Sequence, residues 1–500
     1  MSNRRIAASG FLWNILQTVG ERFFQTVVFF FVARLLQPTA FGLAAMAVVP
    51  AAVFGAVMTG ASQVIVREKD LTHTFETAAL WFNVALGCIL GLVIFFAANP
   101  ISDLVRAPTV APLMMATSCV PLLSGLGAVS QGIMNRRFEF RKLAIRRTIG
   151  ITLAGLSCVV LAVLGFGAWS LVVQAILTAA IMSAVGLFAE PVRIFERISK
   201  KELVHVARQA SILCSSNALL AANVRLIDLI VGYFAGPAAA GAFRLGRTIV
   251  DLILSFTLTP AANVLLPIFA NASDEPERGI NMYVKIVVAC SLVFSVVEIC
   301  VIFGAESFSA VFLGSSWPTL AWVLIFLAPL FPTMCMSTSQ PLLIARQRSG
   351  MVLWANAIRL VASAACVALG SHLLGVNGAA IGYTVCSYLA MLTMITFMRY
   401  EIPTLRNKIG FRILVPQMLA LIVGLGGYSV ALRLGINPKN IAVSVVALSV
   451  ALVMYLILCL IFCRSEIGVT LDMMPLPERI KRKISKYSGL KLNRPSLTGN

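Results

Sequence analysis

Nine ionisable side chains lie inside stretches that are otherwise apolar: Arg22, Arg225, Arg244, Arg247 and Arg359, with Glu21, Asp228, Asp251 and Glu298. A charge at membrane depth costs at least ~2.5–3.5 kcal/mol, so such residues face a protein interior or a watery cavity and mark a path for substrate or ion. Their chemistry divides by sign. Guanidinium groups bring positive charge and planar, fork-like donors, which suits a phosphate-bearing substrate. The carboxylates could take up H+ or Na+ and so change how available the arginines are. Glu298 falls near the outer end of its apolar run, where an ordinary interfacial carboxylate is an equal reading.

Five of the nine fall within residues 209–270, two long apolar runs joined by Ala235-Gly236-Pro237-Ala238. If each run is an α-helix rising about 1.5 Å per residue, an antiparallel hairpin turning at this tetrapeptide sets Arg225 level with Asp251 and Asp228 level with Arg247. The expected register closes two opposite-charge pairs and leaves Arg244 without a carboxylate. Salt bridges that only hold two helices together are the plainer reading for the paired residues; it fits Arg244 less well.

These charges must be positioned by membrane helices. The chain is 59% hydrophobic and 12% charged, against roughly 25% charged in soluble domains, and its mean hydropathy is +0.91. We count fourteen apolar runs long enough for the ~20 residues that cross a bilayer: about 11–33, 41–66, 75–98, 110–133, 145–165, 168–189, 209–234, 242–270, 283–304, 317–344, 353–373, 377–398, 411–432 and 440–463. The first contains Glu21 and Arg22 and ends at Arg34 without a small-residue cleavage pattern, which predicts a retained helix and not a signal peptide.

A net charge of +20 would suggest nucleic acid in a soluble protein. Here the basic residues sort by side. With the N-terminus inside, 31 of the 40 Lys and Arg fall on the cytoplasmic side, four outside and five within the membrane. That asymmetry predicts both termini in the cytoplasm and accounts for the charge without nucleic acid. The eleven cysteines sit almost entirely inside spans without a CxxC, and the three histidines are scattered at span ends, so neither suggests a metal site.

Self-similarity organises the chain. Val32 to Gly42, containing Gln37-Pro38-Thr39-Ala40-Phe41-Gly42, reads against Val231 to Gly241, containing Gly236-Pro237-Ala238-Ala239-Ala240-Gly241. Gln131 and Arg137 match Gln340 and Arg346, and Leu164-Gly165-Phe166-Gly167-Ala168 resembles Leu374 to Ala379. The order predicts a duplication of six helices related by an axis along the bilayer normal. The expected architecture is therefore an all-α polytopic membrane protein. Residues 1–190 form one six-helix lobe, 191–208 a cytoplasmic linker with a short surface helix starting at the capping pattern Ser199-Lys200-Lys201-Glu202, and 209–400 a second lobe. Residues 401–463 form two added helices and 464–500 a basic cytoplasmic tail, whose Ile480, Ile484 and Tyr487 share one helical face and suit a membrane surface with anionic headgroups. Arg22 and the 209–270 hairpin are expected on opposing walls of the cleft between the lobes.

No GxxxxGK[ST], HExxH or GxSxG occurs, so the sequence offers no pattern for ATP hydrolysis, zinc proteolysis or a serine nucleophile. A duplicated helical bundle with a charged interior is the form of a secondary transporter.

Gly10-Phe11-Leu12-Trp13, Phe30 to Gly42, Asn135-Arg136-Arg137-Phe138-Glu139-Phe140 and Gly165-Phe166-Gly167-Ala168-Trp169-Ser170-Leu171-Val172 together resemble the polysaccharide transporter (Wzx-like lipopolysaccharide/exopolysaccharide flippase) family of the multidrug/oligosaccharidyl-lipid/polysaccharide superfamily. The likeness runs over most of residues 5–400 and is strongest in the first lobe. It implies a bacterial inner-membrane carrier, not an enzyme, that turns over undecaprenyl-pyrophosphate-linked oligosaccharides by alternating access. The implied partners are the lipid-linked oligosaccharide and a polysaccharide polymerase, with no cofactor beyond H+ or Na+ as coupling ion. On that resemblance Arg22, Arg225, Arg244, Arg247 and Arg359 are the candidates for the pyrophosphate, and Asp228, Asp251, Glu298 and Glu21 for the ion. A drug/cation antiporter of the same superfamily is the alternative; it would want an acidic, aromatic cavity. A membrane polysaccharide polymerase is a third reading, disfavoured by the short outside loops.

The topology is testable by cysteine labelling in a cysteine-free background. Ser102→Cys, Pro237→Cys and Asn437→Cys should react with an impermeant reagent from outside, and Phe138→Cys and Ser485→Cys should not.

Overall fold

A computed structural model describes residues 24–68, 71–192, 200–271, 276–339, 342–343, 349–402, 410–434 and 440–463. The expectations for Glu21 and Arg22, for the Gly10 to Trp13 motif and for the tail after Cys463 lie outside these. The described residues are helical, with no strand among them. Such a backbone satisfies its hydrogen bonds within each segment, as hydrocarbon surroundings require.

In chain order the helices are α1 (Phe24–Leu35), α2 (Pro38–Arg67), α3 (His73–Leu104), α4 (Val110–Arg136), α5 (Phe140–Val163), α6 (Ala168–Ala189) and α7 (Lys200–Ala235). There follow α8 (Pro237–Asn271), α9 (Pro276–Phe308), α10 (Leu320–Met336), α11 and α12 (349–373 and 376–401), α13 (410–433) and α14 (Ile441–Phe462). Nine stretches among the described residues are long and apolar enough to cross a membrane, ten with a bent α7 taken as one span; α1 and α10 are apolar but shorter. Length and apolarity thus do not confirm the expected fourteen spans. One reason is that two of them run together as Ser349–Glu401, broken only at Leu374 and Gly375.

The breaks are local chemistry. Proline opens α2 and α8, where its missing N–H is no loss. Thr72 caps α3 by accepting from the Phe75 N–H at 3.2 Å, and Asn440 caps α14 by accepting from Ala442 N–H at 3.0 Å. Gly165, Gly167 and Gly375 all have positive φ, so both stretches matched as a repeat turn through left-handed glycine.

The chain divides into two compact units, one through Leu245 and one from Gly246. In the first, α2 packs along α7, and α3 and α4 close around them. Its core holds Met58, Ile65, Phe75, Ile133, Val206 and Leu213. The separate surface helix expected before residue 208 is instead the first part of α7, which runs from Lys200 and bends by 41° between Leu219 and Ala221. The reason is burial: Val206, Ala210, Leu213 and Cys214 form one helical face against that core. Thr74 donates to Glu202 at 2.7 Å and Gln209 to Glu68 at 3.1 Å, which ties the same turns down.

The repeat meets itself at α2 and α8. A Cβ built on Gly42 would overlap the carbonyl oxygen of Pro237, and one on Gly241 would overlap that of Pro38. Pro38 and Pro237, and Gly42 and Gly241, are equivalent positions of the two copies, so the contact is reciprocal. Two helix starts touch backbone to backbone because neither glycine carries a side chain.

In the second unit α9 is central, packed by α10, α13 and α14. Ser307 donates to Ser444 at 2.9 Å and Tyr428 to Glu306 at 2.5 Å, fixing α14 antiparallel and α13 parallel to α9. The last two helices are part of this unit's core.

Gly42→Ala and Gly241→Ala should each lower the melting temperature of the detergent-purified protein, by an overpacking cost of about 1–3 kcal/mol. Gly55→Ala, where a Cβ meets open space, should leave it unchanged or raise it slightly.

Candidate functional site

The charged hairpin turns on a single residue. α7 ends at Ala235, α8 begins at Pro237, and Gly236 between them has φ +85°, a left-handed conformation that favours glycine. Asp228 and Arg244 each stand eight residues from Gly236, and they pair: Arg244 Nη1 donates to Asp228 Oδ2 at 2.9 Å. The Asp228 side chain is 1% exposed and that of Arg244 24%.

This corrects the expected register. Arg244 has a carboxylate partner, and Asp228 gives an oxygen to Arg244, the residue one turn before Arg247. Arg247 approaches a carboxylate of its own helix, with Nε 3.9 Å from Asp251 Oδ2. The Asp228–Arg244 pair is centred on Gly236, eight residues from each member, whereas Asp228 facing Arg247 needs a centre one and a half residues further along, so α8 sits three residues, nearly one helical turn, from the expected register.

Arg247 is 4% exposed, Asp251 is 61% exposed, and the Arg247 guanidinium lies 5.2 Å from the centroid of the Tyr383 ring. A cation over an aromatic face gains electrostatic stabilisation that grows with desolvation. Arg359 is half-buried on α11 and lines a cavity of about 50 Å³ with Thr333, Asn356, Ser387 and four methionines. Arg225 is half-buried on α7. Glu298 is corrected in depth: it is 0% exposed and stands midway along the span Tyr283–Leu313. The interfacial reading fails because α9 continues past residue 304 through Phe308 into a π-helical turn, Ser309–Leu313.

Sequence reasoning missed one buried cation. Arg146, counted among the 31 basic residues on the cytoplasmic side, is 8% exposed, and its Nε donates to the Met182 carbonyl at 2.6 Å. The signal was Gly186 on α6, where a Cβ would come within 3.0 Å of that nitrogen. Between α4 and α5 the basic residues lie at the surface, where Arg137 and Lys142 both reach Glu190 at the end of α6.

The fold and its buried charges define a polytopic helical membrane protein of the transporter type. Residues 31–322 match the family described as Polysaccharide biosynthesis protein, and the chain belongs to that family. It is 26% identical over 485 residues to the Succinoglycan biosynthesis transport protein ExoT of Rhizobium meliloti (strain 1021), covering 92% of this chain and 94% of that protein. It is 24% identical over 443 residues to the Lipopolysaccharide biosynthesis protein WzxC of Escherichia coli (strain K12), covering 84% and 87%. Among solved structures it resembles the lipid II flippase MurJ in an inward closed conformation, with a TM-score of 0.73 and 15% identity over 91% of this chain and 100% of that one. It also resembles a multidrug resistance MATE family transporter in an inward-facing conformation, at 0.63 and 15% over 77% and 96%. The two structures bear on the fold.

Removing one member of a buried pair strands a charge at a cost of about 3–5 kcal/mol. Asp228→Arg or Arg244→Asp alone should therefore reduce the amount of folded protein in the membrane. The double reversal should restore it, and a double variant no more abundant than either single change would refute the Gly236-centred register.

Proposed function

We propose that this protein is an inner-membrane flippase that moves undecaprenyl-pyrophosphate-linked oligosaccharide units for lipopolysaccharide or exopolysaccharide synthesis by alternating access, coupled to H+ or Na+, with both termini in the cytoplasm. Membership of the polysaccharide biosynthesis family supports the pathway. Two long relatives named as a succinoglycan transport protein and a lipopolysaccharide biosynthesis protein support the class of cargo. A polysaccharide polymerase is the expected partner at delivery, and anionic lipid the partner of the basic tail.

The observation that carries the reading is the Asp228–Arg244 pair. The carboxylate is the buried member and the guanidinium the more exposed one. Arginine presents five N–H donors in a fixed fork, and Nη1 donates to Asp228. A pyrophosphate arriving at Arg244 adds charge-assisted bonds on the guanidinium's outer side while Asp228 holds it in orientation. A cationic drug would meet the guanidinium first, which disfavours the antiporter reading. Arg225, Arg247 and Arg359, and Arg22 outside the described residues, are further candidate ligands of the anion.

Arg244→Ala alone strands Asp228, so the informative variant is the neutral pair Asp228→Asn/Arg244→Gln, which removes both charges and keeps two amides in bonding range. In a strain lacking the native gene, and at matched protein level, polymer export should fall by about tenfold or more, the loss of one charge-assisted hydrogen bond of ~1.5 kcal/mol or greater. Arg244→Lys should export at an intermediate level, because it keeps charge and loses the planar fork. Undiminished export by the neutral pair would make the ion pair a helix clamp and remove the residue-level support for an anionic cargo.

A further inference from the structure

The second unit holds a carboxyl group that the anion chemistry above does not use. Glu298 is fully buried at mid-span, and neither carboxylate oxygen has a hydrogen-bond partner among the described residues. It continues a polar row on α9: Ser291, Ser295 and Glu298 lie at i, i+4 and i+7, one helical face, and all are 0% exposed. Gln417 of α13 donates from Nε2 to Ser291 Oγ at 3.3 Å and to the Pro332 carbonyl at 3.1 Å. The Tyr455 hydroxyl of α14 lies beside Ser295, and the Tyr388 phenol of α12 is within electrostatic reach of Glu298. Gln417 Oε1 and Tyr388 Oη also lack hydrogen-bond partners among the described residues.

Opposite this row α13 leaves α-helical geometry. Ile422–Gly426 is π-helical, and a Cβ on Gly424 would lie 2.6 Å from Ile302 Cδ1, one turn beyond Glu298. Single π turns inside α-helices concentrate at functional positions.

An isolated buried carboxylate neutralises itself in preference to bearing its desolvation cost. No basic side chain among the described residues hydrogen-bonds to it. On α9 the nearest is Lys285, thirteen residues away; α10 and α14 contain none; α12 has none before Arg399; and on α13 Arg412 and Arg433 stand at its two ends. Of the titratable side chains on α9, Cys300 is two residues away and Cys290 and Glu306 are each eight, with Glu306 accepting from Tyr428 of α13. On the other helices the Tyr388 phenol is within electrostatic reach of Glu298 and of Cys335 at the end of α10; α12 also carries Tyr383, which meets Arg247 of α8, and Cys386, which meets the Arg359 carbonyl of α11, and α14 carries Tyr455, Cys459 and, at its end, Cys463. A hard metal cation would need about six oxygens converging on it, and the described residues bring no group of three or more His, Cys, Asp or Glu side chains together.

We infer that Glu298 is a proton-carrying site, a free acid in the conformation described, which discharges its proton to water when α13 moves off α9 at its π-helical turn. The transferred species is one H+, leaving a carboxylate that must be reprotonated before α9 and α13 close again. This deepens the coupling named under Proposed function and rests on that reading only for what the proton drives.

Infrared spectra of the purified full-length protein test the proton itself. A free-acid carbonyl band that shifts in deuterated buffer should be present in the wild type, lost in Glu298→Gln and displaced in Glu298→Asp, which covers the case of a glutamine variant that does not fold. In cells Glu298→Gln should reach the membrane in normal amount and lose polymer export, with partial recovery in Glu298→Asp. A spectrum identical in wild type and Glu298→Gln overturns the inference, and so does full export by Glu298→Gln. If the wild-type gene restores no export to the null strain, the flippase reading falls, while the infrared comparison still decides the proton.

Discussion

Hydrocarbon offers no water to a backbone or a charge, and that one constraint accounts for most of what this chain does. It makes every described segment helical and allows loops only where helices end. It also means that each charged side chain in a span must be balanced locally. Asp228 is balanced by Arg244, Arg247 by Asp251 and the Tyr383 ring, and Arg146 by a carbonyl of the neighbouring helix. Glu298 is the member of this set for which the described protein supplies no balancing group.

The charge pairs show where sequence reasoning holds and where it slips. That the two runs around Gly236 form a hairpin with opposite charges facing was legible, because apolar length and a Gly-Pro break leave little else for them to do. Which charges face was not. Register along a hairpin depends on where its turn is centred, and a shift of one and a half residues in that centre moves every partner by three residues, nearly a helical turn. The tight turn with positive φ at Gly236 fixes the centre in the structure, and sequence alone could not separate it from a later one.

Depth and burial of Glu298 were illegible for a related reason. The end of α9 is set by a π-helical turn that adds residues to the span, and no residue pattern there announces it. The surrounding polar groups come from α9, α12, α13 and α14, so their convergence appears only once helices 13 and 14 are seen packed on α9. By contrast, the local structure of the matched stretches was legible, since glycine suits the left-handed turns at Gly165 and Gly375 and proline the helix starts at Pro38 and Pro237.

The meeting of Gly42 with Gly241 has a consequence for how this sequence can change. Most packing conflicts can be relieved by trimming a neighbouring side chain, so that a second substitution rescues the first. Here the neighbour at each glycine is a peptide carbonyl, that of Pro237 or Pro38, and every amino acid carries one. The two positions therefore have no side-chain suppressor for that overlap: a larger residue at either can be accommodated only by driving the two helix starts apart.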